Sequence, residues 1–145
     1  MPLESWGRYP KARQAAVTVH WRSDPLPQVH GTLLPFGQGR SYGDCCLNDG
    51  GTLVPTAALD RFISLEGGLL RCEAGVTLGE ILGLAVPRGF FLPVVPGTCH
   101  VTVGGLATSP AGAVMTGAVN PEATEKLEAL HGPPPLASRA RIQAR

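Results

Sequence analysis

The sequence predicts an α+β fold, on three observations. A glycine-rich loop, Gly37-x-Gly39-Arg40-Ser41-Tyr42-Gly43, follows an apolar run at Thr32–Pro35. A strand, a capped helix and a second strand follow one another between Leu69 and Val95. Turn formers are abundant, with 19 glycines and 14 prolines among 145 residues, yet 43% of the chain is apolar. That apolar share argues against wholesale disorder, and the length allows one domain with a core of its own.

Ala15–Trp21 reads as an extended piece, and Asp24-Pro-Leu-Pro27 as a stiff linker of polyproline character. Thr32–Pro35 and Thr52–Val54 read as strands on either side of the glycine loop. In Leu69–Ala74, Leu70 and Cys72 alternate with Arg71 and Glu73, the pattern of a strand with one buried face. Thr77-Leu-Gly-Glu80 has the form of a capping box, and Leu78, Ile81, Leu82 and Ala85 line one face of the helix it opens. Pro87 and Gly89 end that helix. Phe91–Val95 is the next strand, expected to lie parallel to Leu69–Ala74 through a right-handed crossover. The two earlier strands can join the same sheet. Pro96-Gly97 marks a turn, and Val101-Thr-Val-Gly-Gly105 reads as a hairpin. Farther on, Asn120 and Pro121 open a short helix that Gly132-Pro-Pro-Pro135 stops. Leu136–Arg145 carries three arginines and no acid, and is expected to be disordered. Trp6 and Trp21 are expected to pack at the core edge.

The chemistry is concentrated in the glycine loop. Glycine frees the backbone for positive φ, and consecutive main-chain N–H groups form a nest for phosphate or pyrophosphate. Arg40 adds a fixed charge, Ser41 and Tyr42 add hydroxyls, and Asp44 borders the loop. The alternative account is a tight turn after a strand. A Walker loop is excluded, because no Gly-Lys-Ser/Thr follows. A dinucleotide-binding fingerprint is excluded too: the glycine spacing is one residue too long, and Asp44–Gly51 shows no helical period. The anion would be held by a loop between strands, not by a helix dipole. A second glycine site at Pro96–Gly105 is the natural other jaw of such a clamp.

Charged residues are 16% and net charge is +1, which indicates neither a nucleic-acid footprint nor a basic membrane patch. No apolar run is long enough for a transmembrane segment, and no leader-like start is visible, so a cytoplasmic location is expected. Cys45, Cys46, Cys72 and Cys99 form no C-x-x-C pair, and His20, His30, His100 and His131 are scattered. Reduced thiols and no metal site are expected.

Three motifs occur in order: Gly37-Gln-Gly-Arg-Ser-Tyr-Gly-Asp44, Leu70-Arg-Cys-Glu-Ala-Gly-Val-Thr-Leu78, and Pro93-x-x-Pro-Gly-Thr-x-x-Val-Thr-Val-Gly-Gly105. Together they resemble the amino-terminal FAD-binding half of the vanillyl-alcohol-oxidase (p-cresol methylhydroxylase, PCMH-type) flavoproteins. The branch most similar in look holds decaprenylphosphoryl-ribose oxidase, with sugar-lactone and alditol oxidases farther off. Ser5-Trp-Gly-Arg-Tyr-Pro10 is similar to the opening of that branch.

The resemblance implies a PCMH-type fold, with its first, mainly parallel β-α-β part present and its second part incomplete. It implies FAD as cofactor, held by Gly37, Gln38, Gly39, Arg40, Ser41, Tyr42, Gly43 and Asp44 on one side. Gly97, Thr102, Val103, Gly104 and Gly105 line it on the other. Relatives with covalent FAD carry a histidine where this chain has Arg40, so the implied FAD is non-covalent. The implied activity is oxidation of an alcohol carbon in a small sugar-like or polyol substrate. No catalytic residue is named, because in the family the substrate pocket and its acid and base lie largely beyond these motifs. After Gly105 the branch pattern stops, and the chain reads as a truncated or frame-shifted product, inactive alone, or as a short relative with a new tail. The expected divisions are an extended segment (1–28), a partial FAD-binding domain (29–107) and a divergent, poorly ordered tail (108–145). The readings from another class are a non-catalytic nucleotide- or phosphate-binding module and a non-functional gene remnant.

Overall fold

The computed structural model describes residues 3–92, 95–107, 116–117 and 140–144. Its strands are β1 (Ala15–Ala16), β2 (Leu33–Phe36), β3 (Thr52–Pro55), β4 (Phe62–Glu66), β5 (Leu69–Cys72), β6 (Thr116–Gly117) and β7 (Ala140–Ala144). Two helices, α1 (Leu78–Ala85) and α2 (Val103–Ala107), and a short 3-10 turn (Val86–Arg88) accompany them. The mixed strand and helix content, with parallel pairing, is the α+β class that the sequence predicts.

The strands divide between two sheets, ordered β1-β3-β2 and β4-β5-β7-β6. In the first, all pairing is parallel, with Leu33 opposite Thr52 and Phe36 opposite Pro55. Its central strand is β3, where Thr52, Leu53 and Val54 are buried. Such burial follows from a strand covered on both edges and both faces. In the second sheet, β4 and β5 form an antiparallel hairpin. Its turn is Gly67-Gly68, with φ of 56° and 74°. Positive φ at both turn positions suits the right-handed strand twist, and glycine reaches it without strain.

Helix α1 is built as its sequence dictates. Thr77 Oγ1 accepts from the Glu80 N–H at 3.3 Å, and the Glu80 carboxylate accepts from the Thr77 N–H at 2.7 Å. Its inner face buries Leu78, Ile81 and Ala85. Pro87 lies in the 3-10 turn, and Gly89 closes the end at φ 79°. The face packs into a cluster with Leu70, Cys72, Val76, Leu92 and Val103. Phe36 and Leu53 are both fully buried, and the Phe36 ring lies against Gly39 of the glycine loop.

Several expectations are corrected. Leu92 is buried in the core, but the described residues of Phe91–Val95 form no strand. Pro93 and Pro96 lack the N–H that a ladder needs. The strands β2 and β3 make a sheet of their own and do not extend that of β5. β4 is an added element, for which Gly67-Gly68 between apolar runs was the available signal. Val101–Gly105 is not a hairpin: Thr102 makes a single antiparallel bridge and α2 begins at once. Glu73 is buried, not turned outward, and accepts from the Arg61 N–H at 3.0 Å and from the Arg61 guanidinium at 3.1 Å. Ala140–Ala144 is strand β7, where disorder was expected, because the edge of β5 offers its backbone a parallel partner. The helix expected after Asn120 lies outside the described residues. Trp6 and Trp21 are more than half exposed and lie under arginine guanidiniums at 4.8 and 4.0 Å. Among the described residues, no helix is long and apolar enough to cross a membrane.

Candidate functional site: a glycine loop against a helix start

Strand β2 ends on Phe36 and releases the chain into the glycine loop. Gly39 and Gly43 take φ of 61° and 64°, the left-handed region that side chains disfavour. At Gly39 a Cβ would run into the Glu4 carbonyl oxygen and the Phe36 ring. The amino-terminal segment therefore lies on the loop, and the Trp6 N–H donates to the Ser41 carbonyl at 3.0 Å. At Gly43 nothing lies within 4 Å of the missing Cβ, so that end of the loop is open.

Gly37 connects the two glycine motifs. A Cβ placed there would come within 2.5 Å of Thr102 Oγ1, so only glycine lets the loop seat against Thr102. Thr102 is buried, bridges Thr77, and accepts from the Gly105 N–H at 3.2 Å, which starts α2. The Val103 and Gly104 N–H groups donate to Val76 and Ala74 carbonyls, each at 2.9 Å. Gly104 sits so close to Ala74 that a Cβ would lie 3.1 Å from the Ala74 oxygen.

The same segment serves the other helix. The Leu78 N–H donates to the Val101 carbonyl at 3.0 Å and the Gly79 N–H to the Cys99 carbonyl at 2.9 Å. Each helix start is thus capped by the chain that leads into the other. Both starts have spent their first three N–H groups on protein acceptors, so neither offers a free dipole end.

The loop differs. Among the described residues, no protein acceptor takes the N–H groups of Gly39 through Gly43, while the Ser41 and Tyr42 carbonyls are used. Gln38 and Arg40 are half-buried, and Ser41, Tyr42, Gly43 and Asp44 are exposed. On the second motif, Thr102 and Val103 are buried, Gly104 is half-buried, and Gly105 is exposed. Gly97 is also exposed, with nothing within 4 Å of its missing Cβ. Of the expected set, Gly39, Thr102 and Val103 are therefore buried, while Ser41, Tyr42, Gly43, Asp44, Gly97 and Gly105 lie at the surface.

Sequence reasoning gave Trp6 and Arg8 no part in the site. Both line a groove of ≈ 490 Å³ with Gln38, Gly39 and Arg40. Their signal was the Ser5–Pro10 stretch, but its contact with the loop spans some thirty positions and has no local mark. Beside it, the hydrogen bond from Lys11 holds the Glu4 carboxyl below its ordinary range. Burial, with the Cys45 thiol adding to it, pushes the Cys46 thiol up. Burial and the Glu73 charge push the Cys72 thiol up to about 11. Among the described residues, no group of three His, Cys, Asp or Glu side chains could hold a metal.

A family described as an FAD binding domain matches residues 27–124, more than half of the chain. The chain belongs to that family: it is a flavoprotein domain of the PCMH type, and FAD is its cofactor. The match runs past Gly105, beyond the point where the sequence alone placed the end of the likeness. Decaprenylphosphoryl-beta-D-ribose oxidase of Mycolicibacterium smegmatis is 46% identical over 115 residues, covering 71% of this chain. Those residues are 24% of that protein, so the chain spans about a quarter of the relative's length. The residues present suit the cofactor: an unpartnered row of main-chain N–H groups is the donor set that a diphosphate requires.

Proposed function

We propose that this chain is the diphosphate-binding part of a flavin-dependent oxidoreductase that oxidises an alcohol carbon of a sugar-like or polyol substrate. The observation that carries the reading is the seating of Gly37 on Thr102, which sets both glycine motifs at one place. On this reading the N–H groups of Gly39 to Gly43 grip the diphosphate, and Arg40 and Ser41 add charge and a hydroxyl. Gly97 and Gly104-Gly105 line the cofactor from the second motif. Flavin supplies the hydride acceptor, and the protein supplies binding and orientation. Arg40 has no imidazole to alkylate, so attachment is non-covalent. A ribose derivative in the relative's name supports the sugar-like substrate. The chain spans about a quarter of the relative's length, and no turnover by this chain alone is expected.

Titration of the full chain with FAD, ADP and riboflavin, followed by calorimetry and flavin fluorescence, tests this. FAD should bind more weakly than micromolar, ahead of both fragments, and Gly37→Val should abolish binding. A submicromolar FAD affinity overturns the expectation of weak binding. ADP binding equal to that of FAD overturns the flavin reading in favour of a nucleotide-binding module.

A further inference from the structure

We infer that Cys45 and Cys46 are a reversible oxidation site: a hydroperoxide closes them into a vicinal disulfide, and closure loosens the end of the glycine loop. Neither cysteine belongs to the set assigned to the cofactor. The effect on FAD rests on the proposed cofactor role of that loop, whereas the thiol chemistry does not.

One bend brings the two thiols together. The Leu47 N–H donates to the Asp44 carbonyl at 2.8 Å, which leaves Cys45 and Cys46 at the two central positions of a turn. Cys45 is exposed and Cys46 is half-buried. The side chains feel one another, since Cys45 adds to burial in pushing the Cys46 thiol up. Cys46 is therefore held as the neutral thiol, and Cys45, open to solvent, is the one an oxidant meets first. Cys72 is buried, and the chain neighbours of the exposed Cys99 are Thr98 and His100.

The oxidation balances in two steps. The Cys45 sulfur attacks a peroxide oxygen, the O–O bond breaks, and the leaving oxygen departs with the thiol proton as water or an alcohol. Cys45 is then a sulfenic acid. The Cys46 sulfur attacks the Cys45 sulfur, the S–S bond forms, the S–O bond breaks, and hydroxide leaves with the Cys46 proton as water. The two thiols lose two electrons and the hydroperoxide gains them. Adjacent Cα atoms lie about 3.8 Å apart, short of the roughly 4.4–6.8 Å that disulfides prefer. Such a strained, exposed bond is readily reduced, so the site returns to the dithiol.

Closure reaches the loop through one hydrogen bond. In the reduced protein Cys45 Sγ donates to the Tyr42 carbonyl at 3.1 Å. A disulfide sulfur has no proton to donate, so that carbonyl loses its partner. Nothing lies within 4 Å of the missing Cβ at Gly43, which leaves the backbone between them room to shift.

The test treats the full chain with hydrogen peroxide, digests it with trypsin without reduction, and weighs the 41–61 peptide. That peptide holds Cys45 and Cys46 but neither Cys72 nor Cys99. A mass lower by two hydrogens is expected, restored by dithiothreitol. Cys45→Ser and Cys46→Ser should each abolish the loss, and Cys99→Ser should leave it unchanged. An unchanged mass, added oxygen alone, or a disulfide from Cys45 to Cys99 overturns the site. FAD affinity of the oxidised chain should fall about fivefold, the worth of one hydrogen bond. Cys45→Ser keeps a hydroxyl donor for Tyr42, so it should bind FAD as the reduced chain does and ignore peroxide. Equal FAD affinity before and after closure overturns the loosened loop. If FAD binds neither form, the cofactor reading fails, and the peptide mass still decides the thiol pair.

Discussion

Thr77 and Thr102 open the two helices and face each other across one antiparallel bridge, yet their starts differ in kind. At Thr77 the cap is reciprocal: the side chain accepts from Glu80, and Glu80 answers to the Thr77 N–H. At Thr102 the third helical position is Gly105, which donates an N–H but has no side chain to return the bond. Helix α1 is eight residues long with a buried apolar face, whereas α2 is five. The first start adds a local capping box to the Val101 and Cys99 carbonyls that it borrows. The second depends on Ala74 and Val76 carbonyls lent by the chain before α1, and on Gly37 yielding space to its threonine.

The substitution with the largest expected effect breaks the second start alone. Gly104→Val would press a branched side chain into the Ala74 carbonyl. A cost of about 2–3 kcal/mol from overpacking is expected, read as a lowered denaturation midpoint, with FAD binding lost. An unchanged midpoint would mean that α2 is not docked as described.

Exchanging the caps sharpens the contrast. Thr77→Ala and Thr102→Ala should each cost about 1 kcal/mol of stability, the usual worth of an N-cap side chain. Only Thr102→Ala should also weaken FAD binding, because it leaves Gly37 without its seat. Equal losses of affinity in both variants would show that the loop does not depend on Thr102.

The smallest effect concerns Cys72, in the core that both starts share. Its thiol goes from 9.0 to about 11 on folding, through burial first and the Glu73 charge second. The folded state therefore holds the neutral thiol, and stability from this group is unchanged below pH 9.0. It is lost as pH rises from there through about 11, where the thiolate must form against burial. Alkylation at pH 8 should label the exposed Cys45 and Cys99 and spare Cys72. Equal labelling of Cys72 would mean that the shared core opens readily.

The legible parts were those whose causes lie within a few residues. The capping box and Pro87 with Gly89 satisfy their own backbone locally, and the glycine loop is marked by its own residues after an apolar strand. β2 and β3 were marked likewise, by apolar runs bounded by turn formers, although their backbones pair with distant strands. What escaped was set by distant partners. The hairpin reading of Val101–Gly105 failed because alternation over so short a stretch does not separate a strand from a helix start. Glu73 was placed outside by alternation, but Arg61 supplies the partner that makes its burial tolerable. The groove at Trp6 and Arg8 needs the amino-terminal segment folded back onto Gly39, which no spacing announces.

By itself, the sequence determined which backbone stretches could turn left-handed and which helix would cap itself. Those outcomes follow from glycine's missing Cβ and from side chains bonding to their own neighbours. The tertiary structure alone decided that Gly37 rests on Thr102, that the two helix starts cap one another, and that the strands split between two sheets. Hydrogen bonds and close contacts between remote segments exist only once the chain has closed on itself, and a carbonyl's partner across the fold leaves no trace in the order of residues.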